Sequence, residues 1–94
     1  MEQSDTSLRE RIATGKRAKA IIEDPVFREA IETLRLNCFA AFESAPLTDQ
    51  EGIMGIRYLL KAVNSLEDEI TAVMQTGQLS EQELSYRESM GENE

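Results

Sequence analysis

Residues 25–76 read PVFREAIETLRLNCFAAFESAPLTDQEGIMGIRYLLKAVNSLEDEITAVMQT. Two runs of apolar residues in this segment follow the spacing of an α-helix, with intervals that alternate between 3 and 4 residues. The first run comprises Phe27, Ile31, Leu34, Cys38 and Ala41, and the second comprises Ile56, Leu59, Val63, Leu66, Ile70 and Val73. Such intervals place an apolar seam along one face of a helix. We therefore predict two helices, at about residues 25–44 and 49–76.

The ends of both helices carry local signals. Asp24 precedes Pro25, and an aspartate N-cap followed by proline in the first turn starts a helix, because the carboxylate accepts from an amide that would otherwise lack a partner. Thr48 and Glu51 have the spacing of a capping box, with Thr48 as the N-cap. Gly77 is typical of a helix C-terminus. These signals predict helix starts at residues 25 and 49 and an end just before Gly77.

The connection between the two helices consists of only four residues, 45–48. A loop this short forces the helices to lie antiparallel and adjacent. The predicted fold class is therefore all-α, built on an antiparallel helical hairpin.

The flanking segments are less regular. A weaker apolar stripe predicts an N-terminal helix at about residues 7–23, and Gly15 in its middle suggests a break near Thr14 and Gly15. Residues 78–94 are polar and acidic; Ser80 and Glu83 could cap a short helix, but the composition favours a largely disordered tail. The predicted organisation is a single helical domain, residues 1–77, followed by an acidic tail.

The hairpin has more apolar surface than two helices can bury. Residues 38–42 are uninterruptedly apolar and face most directions around the first helix, while residues 69–76 extend beyond that helix. Either the N-terminal helix or a second chain must cover them, so a compact three-helix monomer remains an alternative to a homodimer that forms a four-helix bundle. We favour the dimer. The predicted core and self-association seam comprises Phe27, Ile31, Leu34, Cys38, Phe39, Phe42, Ile56, Leu59, Val63, Leu66, Ile70 and Val73.

The charge is unevenly distributed along the chain. Residues 1–19 have five basic and three acidic residues, a net charge of +2, whereas the chain as a whole has a net charge of -8. An acidic protein is repelled by the phosphates of DNA, so only the basic residues near the N-terminus could contact nucleic acid or an acidic partner. These candidates are Arg9, Arg11, Lys16, Arg17 and Lys19, and the alternative is that they form the solvated face of a helix.

The sequence has few residues that could act in catalysis or bind a metal. It contains no histidine, which removes the commonest general base and a common metal ligand. Its one cysteine, Cys38, lies in an apolar seam with no base nearby and is interpreted as a core residue. We predict a protein that is not an enzyme and needs no cofactor or metal. A lone cysteine, a polar N-terminus and the lack of a long apolar run predict a cytoplasmic protein, or one that enters a particle assembled in the cytoplasm, without membrane association.

Residues 17–79 resemble small proteins of tailed bacteriophages that are encoded among virion and DNA-packaging genes. The shared features are a basic, alanine-rich lead-in at residues 17–20, the sequence Asp24-Pro25-Val26-Phe27, a short polar loop before a capped helix at residues 46–51, and the pair Thr76-Gly77. The resemblance carries no functional residues. It implies an accessory role in head assembly or DNA packaging.

Three functions remain open from the sequence. The first is a non-enzymatic protein–protein interaction or assembly protein, which we favour, that binds itself and a phage or host protein. The second is a phage-encoded inhibitor of a host enzyme or defence complex that acts through its acidic surface. The third is a nucleic-acid-binding module that uses the basic N-terminal helix.

Overall fold

The computed structural model describes residues 4–92, which form three α-helices. They are α1 (Asp5–Glu23), α2 (Pro25–Ser44) and α3 (Gln50–Glu92). The described residues contain no strand, so the all-α prediction is confirmed. The bounds of α2 agree with those predicted, and α1 begins two residues earlier than expected.

The first two helices begin at side-chain caps. The Ser7 amide donates to Ser4 Oγ over 3.1 Å at the start of α1. Asp24 Oδ1 accepts from the Val26 amide at 2.9 Å and from the Phe27 amide at 3.0 Å, and Pro25 stands at the first helical position. The Asp24-Pro25 start signal is therefore confirmed.

The N-cap of α3 lies one residue later than predicted. The Asp49 amide donates to the Pro46 carbonyl over 2.9 Å, which closes a turn that has Leu47 and Thr48 at its corner. Asp49 Oδ1 then accepts from the Gly52 amide over 3.0 Å. Because Thr48 is used in the turn, Asp49 takes the capping position, and the capping box assigned to Thr48 is wrong.

The predicted end of the second hairpin helix at Gly77 is also wrong. α3 continues without interruption to Glu92, and none of the described glycines has a positive φ. Gly77 therefore does not adopt the left-handed conformation by which glycine ends a helix. The tail predicted to be disordered is helical as far as Glu92, because Ser80 and Leu84 are buried within it. Asn93 and Glu94 lie outside the described residues.

The chain divides into two compact units. One unit comprises α1 as far as Ile22 together with α3 from Glu69 onward, and the other comprises Glu23–Asp68. Helix α3 contributes to both. Helix α3 can pack in both units because the seam of Ile56 to Val73 does not stop at Val73. It continues at alternating intervals of 4 and 3 residues through Gly77, Ser80, Leu84 and Arg87.

The unit Glu23–Asp68 is the predicted helical hairpin, made of α2 and the first part of α3. Its buried side chains are Ile31, Cys38 and Val63. Arg35 on α2 donates to Asn64 Oδ1 over 3.0 Å and to Glu67 Oε2 over 3.1 Å, both on α3. These contacts confirm that the two helices are adjacent.

In the other unit, α1 packs antiparallel to the last part of α3. Arg87 forms an ion pair with Asp5 at 3.0 Å near one end of the helix pair. Further along, Gly15 and Gly77 are both buried and face each other closely, since a Cβ atom added to Gly15 would lie 2.7 Å from the Gly77 Cα. The break expected near Thr14 and Gly15 does not occur, because α1 runs straight through this contact. The buried side chains around it are Leu8, Ala18, Ser80 and Leu84.

This packing answers a question that the sequence left open. The surface of α3 beyond Asp68 is covered by α1 of the same chain. The hairpin, by contrast, has no such cover over much of its apolar surface, and it therefore contains the candidate functional site.

Candidate protein-interaction surface

The residues of the predicted seam are buried to very different degrees. Ile31, Cys38 and Val63 are fully buried, and a second group is half-buried: Phe27, Ile56 and Ile70. The others remain exposed in the folded chain: Leu34, Phe39, Phe42, Leu59, Leu66 and Val73. Ile70 and Val73 belong to the unit that contains α1, and the remaining ten belong to the hairpin. Only part of the seam is thus an internal core.

Large exposed apolar side chains are concentrated in the hairpin. Among the described residues, ten of the fifteen that are exposed lie within Glu23–Asp68. They are Val26, Leu34, Leu36, Phe39, Phe42, Leu47, Met54, Tyr58, Leu59 and Leu66. Single exposed apolar residues need no explanation, but a cluster of them marks an interaction site.

One side of the hairpin has little charge. Successive residues of a helix are about 100° apart, which places the charged residues of α2 on the side marked by Arg35 and leaves the opposite side of α2 uncharged. The same construction on α3 places Asn64 and Glu67 with Arg35, and Leu59 and Leu66 on the other side, with Glu51 at the edge of that side. We call this second side the uncharged face; it consists of Ala30, Leu34, Asn37, Ala41, Gly55, Leu59, Ala62 and Leu66, all exposed.

The uncharged face combines large and small side chains. Leu34, Leu59 and Leu66 are 43%, 53% and 50% exposed, respectively. Between them lie alanines and Gly55, and a Cβ atom added to Gly55 would meet no atom within 4 Å. The face therefore has both projecting side chains and open space beside the backbone, which are the two elements of knobs-into-holes packing.

The charged side of the hairpin has a second apolar feature, the Phe39 stripe, which consists of Leu36, Phe39 and Phe42. Its three side chains are spaced three residues apart on α2 and are 55–60% exposed. Glu32 lies one turn before Leu36 and Glu43 lies one turn after Phe39, so carboxylates border the stripe at both ends. An aromatic anchor inside a polar border has the composition of a protein-binding hot spot.

The basic residues of α1 do not form one patch. Arg9, Arg11, Lys16, Arg17 and Lys19 are all exposed. At 100° per residue, Arg9, Lys16 and Lys19 lie within about 80° of one another on one side of α1, whereas Arg11 and Arg17 point in other directions. Acidic residues of α3 lie beside these three cations: Arg9 forms an ion pair with Glu88 at 3.4 Å, and Glu81 lines the same grooves as Lys16 and Lys19. The surface around them is therefore of mixed sign.

The lone cysteine and the acidic side chains are the candidates for reactive or metal-binding groups. Cys38 is a free thiol, only 4% exposed, within the apolar core of the hairpin. Within residues 4–92, no group of three or more Cys, Asp and Glu side chains could hold a metal ion. None of the helices in that range is long and apolar enough to cross a membrane.

Sequence reasoning missed several residues of these surfaces. Leu36 fell outside both seams, and two small residues of the uncharged face, Ala30 and Ala62, were not recognised. The signal was available, because no charged residue occurs on that side of α2. The seams were identified from the spacing of apolar residues alone, and that spacing does not reveal a side of a helix that lacks charged residues.

Comparison of the chain with protein-family models found no match. Searches of curated proteins and of solved structures found none either.

Proposed function

We propose that this chain is a non-enzymatic interaction protein that binds another protein through the Phe39 stripe. The single observation that carries the proposal is the exposure of Leu36, Phe39 and Phe42 along one line of α2. Fully burying a leucine or phenylalanine side chain stabilises a complex by roughly 1.5–3 kcal/mol, so these three side chains supply a compact energetic centre for binding.

The border of the stripe indicates the chemistry of the partner. Glu32 and Glu43 lie beside it, and the nearest cation, Arg35, is already engaged with Glu67 at 3.1 Å. A complementary surface has an apolar pocket for Phe39 and basic residues at its rim. Such pairing of opposite charges steers association and excludes acidic partners.

We propose an accessory role in bacteriophage head assembly or DNA packaging as the specific setting, which rests on the resemblance of residues 17–79. A cytoplasmic or virion location belongs to the same proposal. The alternative is inhibition of a host enzyme through the acidic surface, and the acidic border of the stripe also supports this alternative. The cations of α1 share their surface with Glu81 and Glu88 and do not favour nucleic acid as the ligand.

Photo-cross-linking in the producing cells tests the proposal. A benzophenone amino acid replaces Phe39 in one variant and Tyr86 in the matched control, since both are exposed aromatic residues and Tyr86 lies in the other unit. We expect a discrete adduct to another protein from position 39 that is absent from position 86. Identical adducts from both positions, or none from position 39, would contradict the proposal.

The identity of the cross-linked protein also distinguishes the phage assembly role from inhibition of a host enzyme. A virion or packaging protein supports the phage assembly role, whereas a host enzyme supports the inhibitor. With the purified partner, Phe39→Ala should weaken binding by about 30-fold, which corresponds to the loss of ~2 kcal/mol at a hot spot. Val26→Ala, which truncates an exposed residue away from the stripe, should leave the affinity within about twofold.

A further inference from the structure

The hairpin has a second apolar surface, the uncharged face, which lies on the side opposite the Phe39 stripe. Its three leucines are about half exposed in the folded chain. The hairpin beneath it has only three fully buried side chains, Ile31, Cys38 and Val63. Two helices with so small a core need further cover for their apolar surface.

We propose that a second copy of this chain covers the uncharged face, so that two hairpins related by a two-fold axis form a four-helix bundle. The first argument is charge. The chain has a net charge of -8 and 30% of its residues are charged, so two copies repel each other across most surfaces. The uncharged face has one carboxylate at its edge, Glu51, and is therefore the side of the hairpin where two copies meet with the fewest like charges in contact.

The second argument is shape. An interface between identical copies must be self-complementary, which requires projections and recesses within the same face. Leu34, Leu59 and Leu66 supply the projections. Ala30, Ala62 and Gly55 supply the recesses, and the space next to Gly55 is open to at least 4 Å. Leucines of one copy can therefore enter the spaces above the small residues of the other.

The size of the face sets the strength of the pairing. The eight residues of the uncharged face extend from Ala30 to Ala41 on α2 and from Gly55 to Leu66 on α3. At 1.5 Å per residue each stretch is ~17 Å long, and two adjacent helices are roughly 20 Å wide, which gives a footprint of ~350 Å² per copy. The resulting total of ~700 Å² is smaller than a standard stable interface, so we expect a weak dimer that forms at high protein concentration.

Light scattering coupled to size-exclusion chromatography of the full chain tests this inference. We expect the wild-type protein at about 100 µM to have twice the chain mass of 10.6 kDa. Leu59→Glu should halve that mass, since it places two carboxylates at the interface. The matched control is Leu36→Glu, which makes the same change at a residue 60% exposed on the opposite side and should remain a dimer.

A second variant guards against misfolding. Ala62→Glu changes a small exposed residue of the same face, and circular dichroism verifies that its helices are intact. A monomeric wild-type protein would overturn the inference, as would a folded Ala62→Glu or Leu59→Glu variant that stays dimeric. The result is independent of the cross-linking at position 39, because a monomer can still bind another protein through the Phe39 stripe.

Discussion

Gly15 and Gly77 lie where α1 and α3 come close together. A larger side chain at either position would hold the two helices apart. A Cβ atom on Gly77 would lie 2.8 Å from the Gly15 Cα and 3.0 Å from the Arg11 carbonyl oxygen. Both neighbours belong to the backbone, so the whole helix would have to move. Small residues at these two positions are therefore a requirement of the packing and not of the helices themselves.

Gly77→Ala should destabilise the protein even though alanine is the better helix former. The gain in helix propensity is about 1 kcal/mol, whereas forcing two packed helices apart costs about 1–3 kcal/mol, so we expect a net loss of roughly 1 kcal/mol. Urea denaturation followed by circular dichroism measures the difference. Gly91→Ala is the control, since its added Cβ meets no atom within 4 Å, and it should be neutral or stabilising. Equal effects of the two substitutions would contradict the close approach of α1 and α3.

Asp49, not Thr48, caps α3. Asp49→Ala removes the acceptor of the Gly52 amide and should lower the free energy of unfolding by about 1 kcal/mol. Thr48→Ala should change the free energy of unfolding by less than about 0.5 kcal/mol, as expected for a surface position without a cap. Thermal or urea unfolding of the two variants side by side decides which residue is the cap, and a larger effect at Thr48 would restore the capping box.

At the scale of the elements, the last part of α3 acts as the packing partner of α1. Leu84 is buried, Arg9 pairs with Glu88, and Arg87 pairs with Asp5. The surface ion pairs contribute little, about 0–1 kcal/mol each, so the burial of Leu8, Ser80 and Leu84 around the Gly15–Gly77 contact dominates.

A variant that ends at Gln78 should lose more helix than it loses residues. It removes residues 79–92 of α3 and thereby leaves the part of α1 that precedes Gly15 without a partner, while Gly77 is retained. A helix of 19 residues that is covered over only half of its length should unfold from its N-terminus. The loss of helical residues, measured by circular dichroism at 222 nm, should therefore be roughly twice that expected from the deletion alone. A variant that ends at Glu88 retains Leu84 and Arg87 and should keep α1 folded; a disordered tail would make the two variants indistinguishable.

The sequence predicted the helices whose ends are set locally. Asp24 and Pro25 fix the start of α2 through hydrogen bonds within three residues, and the four-residue loop fixes the antiparallel hairpin. The continuation of α3 past Gly77 depends instead on a contact with Gly15, which is 62 positions away. A glycine in the sequence is compatible both with a helix end and with a close crossing of two helices. Only the segment that packs against it distinguishes the two.

The candidate site was predictable in part. An excess of apolar residues on α2 predicted that some would remain exposed, and Phe39 and Phe42 do. The division of these residues between two sides of the hairpin depends on the position of Arg35 against Asn64 and Glu67. That register follows from the packing of α2 on α3, and the helical period alone does not specify it.

At the scale of the whole molecule, association through the uncharged face couples stability to concentration. If folding and pairing of the hairpins are linked, mass action stabilises the folded dimer by about 1.4 kcal/mol for each tenfold rise in protein concentration. For a dimer of this size the midpoint of thermal unfolding should rise by about 3–5 °C per tenfold change. Scans between 5 and 500 µM, about two decades, measure this slope. Leu59→Glu should abolish it, while Leu36→Glu should preserve it, because only the first places charge where the two copies meet. A wild-type midpoint that does not change with concentration would contradict the inference. It would mean that the folded hairpin is stable while its exposed leucines remain uncovered.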